Sequence, residues 1–468
     1  MRARKLALAC SLLLAGCAVG PDFERPATDL PTAYPEQDVG AAALRSDWWK
    51  LYNDPKLDEL IAAALERNAD IRLAVARIEE ADANLRAARA AFLPEIDLTG
   101  AAVRQGVSTR TAVPIPGGIP ATRNNVRLAL STAFELDFWG HLRRSVESVR
   151  AQMLATRYAR DVVALTLAGL TTQAYFGLRS LDAQIVVTRE TLANREDSLA
   201  YVRKRARGGI ASELEVAQAE AARADIATQL KDLERQRALI EHQLATLTGR
   251  LGQKLADGDL RTLPVPALPP SDLPSTLLER RPDVQQAEQQ LVSANAQIGV
   301  AKAAMFPTIS LTGFYGGEST ALWTLLNNGA SIWSIGFGLN LPVFDGGRYR
   351  ALTDAAIARD HQTLAGYQKA VETAFREVAD ALVSVRQTSS AEADYQTGVD
   401  AARRALRLSR MRYEAGYSPY LEVLDAQRTA NVNELAALRN RQALLSATVD
   451  LMKALGGGWS ADQVSMKP

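Results

Sequence analysis

From Gly140 to Arg207 the sequence runs for 68 residues without a proline and is rich in alanine, leucine, arginine and glutamate. Those are strong helix formers, and the residue that breaks helix interiors is missing. One continuous helix over that stretch would be roughly 100 Å long at about 1.5 Å per residue. The stretch from Arg348 to Glu414 follows the pair Gly346-Gly347 and is equally free of proline. No compact domain needs rods of that length, and neither has the unbroken apolar run of a membrane-spanning helix. They must therefore lie side by side in an extended bundle or barrel. Leu214, Ala217, Ala221, Leu230, Leu233, Leu244 and Leu247, in the helix expected next, mix large and small apolar residues. Alanine at contacts lets helices approach closely, and near-heptad spacing favours coiled-coil packing.

The chain is an internal duplication. Leu65 to Gly100 can be laid over Leu278 to Gly313 at a constant offset of 213, and 15 of the 36 aligned positions are identical. Further on the offset becomes 207, where Gly209-Ile-Ala-Ser-Glu-Leu-Glu-Val matches Gly416-Tyr-Ser-Pro-Tyr-Leu-Glu-Val. Each half holds the same ordered elements: helix, strand, loop, strand, very long helix, tight turn, long helix. The expected segments are a leader over 1–16, an extended tether over 17–62, a first repeat over 63–270, a second over 271–457 and a tail over 458–468.

Between the helices the period changes from 3.6 to two. In NVRLALSTAFELDF, residues 125 to 138, Val126, Leu128, Leu130, Thr132, Phe134, Leu136 and Phe138 share one face. Arg127, Ala129, Ser131, Ala133, Glu135 and Asp137 share the other, which is a strand pattern. Ile96 to Val103, Ile309 to Tyr315 and Trp333 to Val343 alternate in the same way. Each run approaches the 9 to 11 residues, or about 30 Å of tilted strand, that crosses a membrane. A half-buried strand of a soluble sheet has the same pattern, and the N-terminus separates the two readings.

The opening MRARKLALACSLLLAGCAVGPDF combines a basic start, an apolar run from Leu6 to Ala15 and small residues before Cys17, as a secretory leader requires. Leu14-Ala15-Gly16-Cys17 resembles a bacterial lipobox, so Cys17 is the expected site of lipidation and the new N-terminus. Ala18 follows it rather than an aspartate of the inner-membrane retention type, which favours the outer membrane. Removing Arg2, Arg4 and Lys5 with the leader takes the formal charge from +1 to near −2. No basic excess points to a nucleic-acid partner. Four strands cannot close a barrel, and an open edge in hydrocarbon leaves backbone groups unpaired, so several chains must contribute. Gln105 to Asn124 and Gly316 to Ser331 are expected as the outer loops.

LLLAGCAVGPDFERP, FELDFWGHLRRS, AAMFPTISLTG, LNLPVFDGGR, YEAGYSPYLEVLDAQR and ALGGGW together resemble the TolC-like outer-membrane efflux proteins. The fit is best to the lipid-anchored subgroup serving multidrug and metal-ion pumps of the RND type, and it covers nearly the whole mature chain. The resemblance implies a mainly α fold with a membrane β-barrel part. Long antiparallel helices form a periplasmic α-barrel, and four strands per chain contribute to a twelve-stranded barrel in a homotrimer. It also implies a passive exit duct with no enzymatic activity and no cofactor. The implied partners are a periplasmic adaptor of the membrane-fusion type, an inner-membrane RND-type transporter and outer-membrane lipid.

The resemblance also gives candidate sites. The turns holding Arg207, Gly208, Gly209 and Ser212, and Gly416, Tyr417 and Ser418, are structurally helix-hairpin turns, in which glycine permits reversal and Ser212 can cap. In the family such turns resemble adaptor-contacting tips. Leu421, Asp425 and Arg428 read by spacing as an exposed stretch with an i, i+3 ion pair. By resemblance they look like the periplasmic aperture, with Leu421 as an apolar constriction, Asp425 as a carboxylate ring and Tyr413 helping to hold the tip shut. Arg127, Glu135 and Asp137 are expected to face the barrel lumen and keep it wet. Trp139 and Trp333 suit membrane interfaces or a packed junction.

His141, His242 and His361 are isolated on helical patterns, and no cluster has metal-ligand spacing, so no metal site is expected. The competing reading is a lipid-anchored periplasmic coiled-coil scaffold or adaptor without a pore. Such a scaffold has no use for four alternating strands.

Overall fold

The structure, a computed structural model, describes residues 18–27, 30, 31, 33, 34, 45–110, 112, 115, 116, 118–268 and 277–459. Cys17, the leader, much of the tether and most of the expected tail lie outside the described residues.

The duplication is visible element by element. Helices α1 (Pro55–Arg67) and α2 (Ala69–Ala90) lead into strands β1 (Glu95–Gly106) and β2 (Thr122–Leu136). Two long helices follow, α3 (His141–Arg207) and α4 (Glu213–Leu247). A short α5 (Leu277–Arg280) opens the second half, which continues with α6 (Pro282–Ala303), β3 (Thr308–Ser319), β4 (Ser331–Asn340), α7 (Arg348–Glu414) and α8 (Tyr420–Ala454). α2 and α6 are both 22 residues long, β1 and β3 both 12, α3 and α7 both 67, and α4 and α8 both 35. β2 and β4 differ, with 15 residues against 10. The step in offset from 213 to 207 therefore falls between the first strand of each half and its long helix, where loops and strand ends tolerate a length change that a packed helix does not.

The chain forms two compact units, and each takes residues from both repeats. The first comprises Met1–Pro26, Ile78–Thr156 and Ala287–Tyr367. Its sheet is an antiparallel meander in the order β1-β2-β3-β4. Register places Leu98 opposite Leu130, Leu130 opposite Tyr315 and Tyr315 opposite Trp333, and a parallel row runs Phe134, Leu311, Phe337. These rows share one face, on which Ile96, Leu98, Leu130, Trp333, Ile335 and Phe337 are exposed, Phe337 at 80%. The other face carries Asp97, Ser131, Arg127 and Glu318, so the two-residue period maps onto two chemically distinct surfaces. At the β2–α3 junction the Trp139 indole donates to Pro307 O at 2.8 Å and stacks on Phe306 with centroids 4.8 Å apart. Val19 N donates to Trp139 O at 3.0 Å, Asp22 pairs with Arg144 and Arg25 with Glu288, which seats the segment after Cys17 against this junction.

Two expectations need correction here. β1 runs to Gly106, β2 begins at Thr122 and β3 runs to Ser319, so the loops expected over 105–124 and 316–331 are shorter. Antiparallel pairing extends as long as backbone groups find partners, whatever the side-chain pattern. The tether expected to be extended as far as residue 62 becomes ordered earlier. Trp48–Tyr52 form a 3₁₀ turn, and α1 starts at Pro55 with Asp54 capping Lys56 N.

The second unit comprises Ala27–Arg77, Arg157–Gln286 and Gln368–Pro468. Trp48, Tyr52, Leu57, Leu60 and Ile61 are buried in one core with Tyr175, Phe176, Leu244, Leu445, Val449 and Met452. Full burial of each large side chain contributes about 1.5–3 kcal/mol, which explains why this segment is held and not extended. The Tyr52 hydroxyl, 2.7 Å from Thr448 Oγ1, is satisfied within that core. Among the described residues no helix is long and apolar enough to cross a membrane.

Candidate aperture and duct-lining sites

α3 and α7 end in the same six-residue closure. Ile210 N donates to Arg205 O and Gly209 N to Ala206 O, both at 2.9 Å. Tyr417 N donates to Arg412 O at 2.8 Å and Gly416 N to Tyr413 O at 3.0 Å. This is the Schellman arrangement, which needs a left-handed residue, and Gly209 (φ 73°) and Gly416 (φ 81°) supply it. Arg207, Gly208 and Gly209 are exposed, and so are the following residues Ile210 and Tyr417. Ser212 caps α4 by accepting from Glu215 N at 3.3 Å. Pro419 holds the equivalent place before α8 and provides no side-chain cap, while Ser418 Oγ is buried without a partner.

Tyr413 is 6% exposed, packed with Leu199, Val202, Ala219, Tyr420 and Val423. Its hydroxyl donates to Glu215 Oε2 at 3.3 Å, and the Arg205 guanidinium lies 4.9 Å from its ring centroid. Tyr420 lies 5.2 Å from it and Tyr201 6.3 Å, edge-on. Burial, followed by the Glu215 carboxylate, pushes the Tyr413 phenol up to about 12.

Arg428 Nη2 donates to Asp425 Oδ1 at 2.7 Å, and both side chains are exposed. Leu421, Asp425 and Arg428 share a stripe of α8, and exposed Val432 extends it at the same near-heptad spacing. This stripe points away from the packing of its own chain.

The seam between α3 and α8 changes character along its length. Ala183, Val187, Leu435 and Leu438 make an apolar stretch. Closer to the turns the contacts are polar: Thr191 to Asn431 and Gln427 to Ser198, both at 3.4 Å, with Asn431 also reaching Gln229 of α4. Arg195 is buried on this stretch with Nε and Nη1 unpartnered, and burial lowers its affinity for the proton.

Of the three residues expected to keep the lumen wet, Arg127 and Glu135 lie on the polar face of β2. Arg127 sits 4.6 Å over the Phe314 ring and opposite Glu318, whose carboxylate accepts from Asn125 Nδ2 at 2.9 Å. Glu135 lies 3.3 Å from His141 Nδ1. Asp137 follows the end of the strand, and its carboxylate accepts from Leu142 N and Arg143 N, both at 3.0 Å, which caps α3.

Tyr201, Arg205, Glu215, Tyr420 and Arg195 were not singled out from sequence. Glu215 and Tyr420 lay within the octets aligned at offset 207, but the packing that brings Glu215 and Tyr201 to Tyr413 joins hairpins about 200 residues apart and leaves no local spacing signal. Among the described residues no group of three or more His, Cys, Asp or Glu side chains could hold a metal ion.

The sequence model described as "outer membrane efflux protein" matches residues 60–250 and 273–457. The solvent efflux pump outer membrane protein SrpC of Pseudomonas putida is 33% identical, with 99% of this chain and 100% of SrpC covered. Outer membrane protein OprJ of Pseudomonas aeruginosa is 35% identical over 97% of this chain and 95% of its own. The open-state crystal structure of the Neisseria gonorrhoeae MtrE outer membrane channel is similar at 32% identity and a TM-score of 0.84, covering 94% of this chain and 98% of MtrE.

Proposed function

The chain belongs to the outer membrane efflux protein family, whose members are channels and not enzymes, and from that premise we propose that three copies form its working duct. Four strands from each copy make a twelve-stranded barrel in the outer membrane of a Gram-negative cell, and the long helices make the periplasmic conduit. Cys17 carries the lipid that anchors the chain. The turns at Gly209 and Gly416 receive a periplasmic adaptor, which joins the duct to an inner-membrane RND-type transporter. Solutes leave passively through the duct, and the transporter supplies the energy. A wide duct imposes little chemistry, so substrate choice rests with the pump.

The open four-stranded sheet carries this reading. Its apolar face is exposed along every strand, and β1 and β4 are edges without a partner among the described residues. Unpaired backbone groups cost several kcal/mol each in hydrocarbon, so these edges must meet other chains before the face can meet lipid. In this reading Leu421, Asp425 and Arg428 ring the periplasmic aperture, Tyr413 helps to close it, and Arg127, Glu135 and Asp137 keep the barrel interior wet.

The test is to extract the mature protein in mild detergent and measure native mass by light scattering and particle shape by electron microscopy. A three-chain rod on the order of 100 Å or longer, with a membrane collar at one end, is expected. A monomer without a collar would overturn the duct in favour of a scaffold.

A further inference from the structure

The β3–β4 loop carries an apolar patch that duct function does not require. Leu322–Thr324 wind into a 3₁₀ turn, and Leu322, Trp323 and Leu326 are exposed, at 84% for Trp323 and 93% for Leu326. The loop is internally fixed. Asn327 N donates to Thr324 O and Ala330 N to Asn327 O, both at 3.1 Å, Glu318 N donates to Ala330 O at 2.8 Å, and the Ser319 and Thr324 hydroxyls are bonded to each other. Its apolar side chains are therefore presented by a set shape and not by a disordered segment.

Gly317 shows which way the loop folds. A Cβ on Gly317 would lie 2.5 Å from Leu325 O and 3.3 Å from Leu325 Cγ, so Leu325 occupies the space a side chain would fill. Gly317 pairs with Leu128 and alternates with Tyr315, which places that space on the exposed apolar face of the sheet. Glu318, beside Arg127 and Asn125, marks the opposite face. The loop thus folds over the apolar side and away from the polar one. Tyr315 and Trp333, paired across β3 and β4, lie two residues below Gly317, about 7 Å along the strand.

We propose that Leu322, Trp323 and Leu326 form an anchor that inserts into the outer-leaflet lipid, extending the lipid-facing band of the sheet beyond its hydrogen-bonded strands. Apolar continuity and the Gly317 seat point to lipid as the occupant: a loop acting as a lid on the duct would fold toward Glu318. An aromatic ring at the level of the headgroups suits such an anchor. The inference rests on the apolar sheet face meeting lipid, and Trp333 on that face is the internal control.

The experiment reconstitutes the full chain into phosphatidylcholine vesicles with acyl chains brominated near the glycerol, and into unbrominated vesicles with aqueous iodide. Emission of the wild type is compared with Trp323→Phe and Trp333→Phe. Both substitutions fall at exposed positions, and native mass in detergent checks assembly. Bromolipid should quench the emission components lost in both variants, and iodide should leave them largely unchanged. If Trp333 is quenched by bromolipid while Trp323 is quenched only by iodide, the turn stands in water and the anchor is wrong. Quenching of Trp323 by neither agent would place it against protein and would also overturn the proposal. Failure of Trp333 itself to respond to bromolipid would instead remove the lipid-facing sheet on which the anchor depends.

Discussion

The Tyr413 hydroxyl donates to Glu215 Oε2 at 3.3 Å, tying the last turn of α7 to the first turn of α4. The residues are 198 positions apart, so this one contact links the ends of two helix hairpins. Tyr413→Phe keeps the ring packing and removes the tie, at a cost of about 1 kcal/mol for a long hydrogen bond to a charged acceptor. Hydrogen exchange should accelerate at residues 209–216 and 416–421 and remain unchanged in the sheet. Equal exchange in both proteins would show that ring packing alone holds the tip. The folded phenol titrates near 12, above its usual 10, so its contribution is fully present below pH 10 and is lost as pH rises toward 12. Tip exchange in the wild type should approach that of the variant only in that window.

Leu421 and Asp425 are exposed on the α8 stripe, and the Arg428 pairing is worth little in water. In a closed aperture the same groups would meet their copies at short range, where a ring of carboxylates favours cations. Leu421→Ser or Asp425→Ala should raise single-channel conductance in a planar bilayer. Arg428→Ala should leave the carboxylates without their countercharge and increase cation preference. Unchanged conductance for both of the first two variants would exclude them from the gate.

Much of this architecture was readable because its causes are local. The ends of α3 and α7 lie where Gly209 and Gly416 allow a left-handed residue, and the intervening stretches lack proline. The faces of β2 follow from side-chain alternation alone. The α8 pair Asp425–Arg428 was legible for the same reason, since i, i+3 is a property of one helix. The burial of Trp48 and Tyr52 was not legible, because their core partners come from α3 and α8. Nor was the link from Tyr413 to Glu215, which depends on how two hairpins pack and not on spacing within either. At Asp137 the alternation showed only half of the arrangement: the strand ends at Leu136, and the carboxylate also caps the start of α3.

Arg195 exposes a conflict between burial and charge. Its Nε and Nη1 lack partners, Arg410 adds a like charge, and the Asp225 carboxylate offsets this only in part. Methionine has similar length and needs no hydrogen bonds. Arg195→Met should therefore stabilise the protein by about 1–3 kcal/mol, as apolar replacement of poorly compensated buried charges can do. The check is thermal unfolding of the detergent-solubilised protein. A lower melting temperature would mean that the guanidinium contributes a favourable contact that outweighs its desolvation.

Asp182 presents the opposite case, a buried charge with every partner in place. Its side chain is 1% exposed. Arg179 Nη1 meets Oδ2 at 2.8 Å, Arg237 Nε meets Oδ1 at 2.7 Å, and Gly258 N donates to Oδ2 at 3.0 Å. The same two arginines donate onward to Ala256 O and Leu255 O, so Asp182 fixes the segment after α4 through them. Asp182→Asn leaves two cations close together without their shared anion, and should cost about 3–5 kcal/mol. Asp257 also pairs with Arg237, but its side chain is 80% exposed, so Asp257→Asn should change stability by less than about 1 kcal/mol. Thermal unfolding and limited proteolysis over residues 250–259 should separate the two variants, with early melting and new cleavage only in Asp182→Asn. Matching behaviour would mean that the helices hold this segment without the clasp.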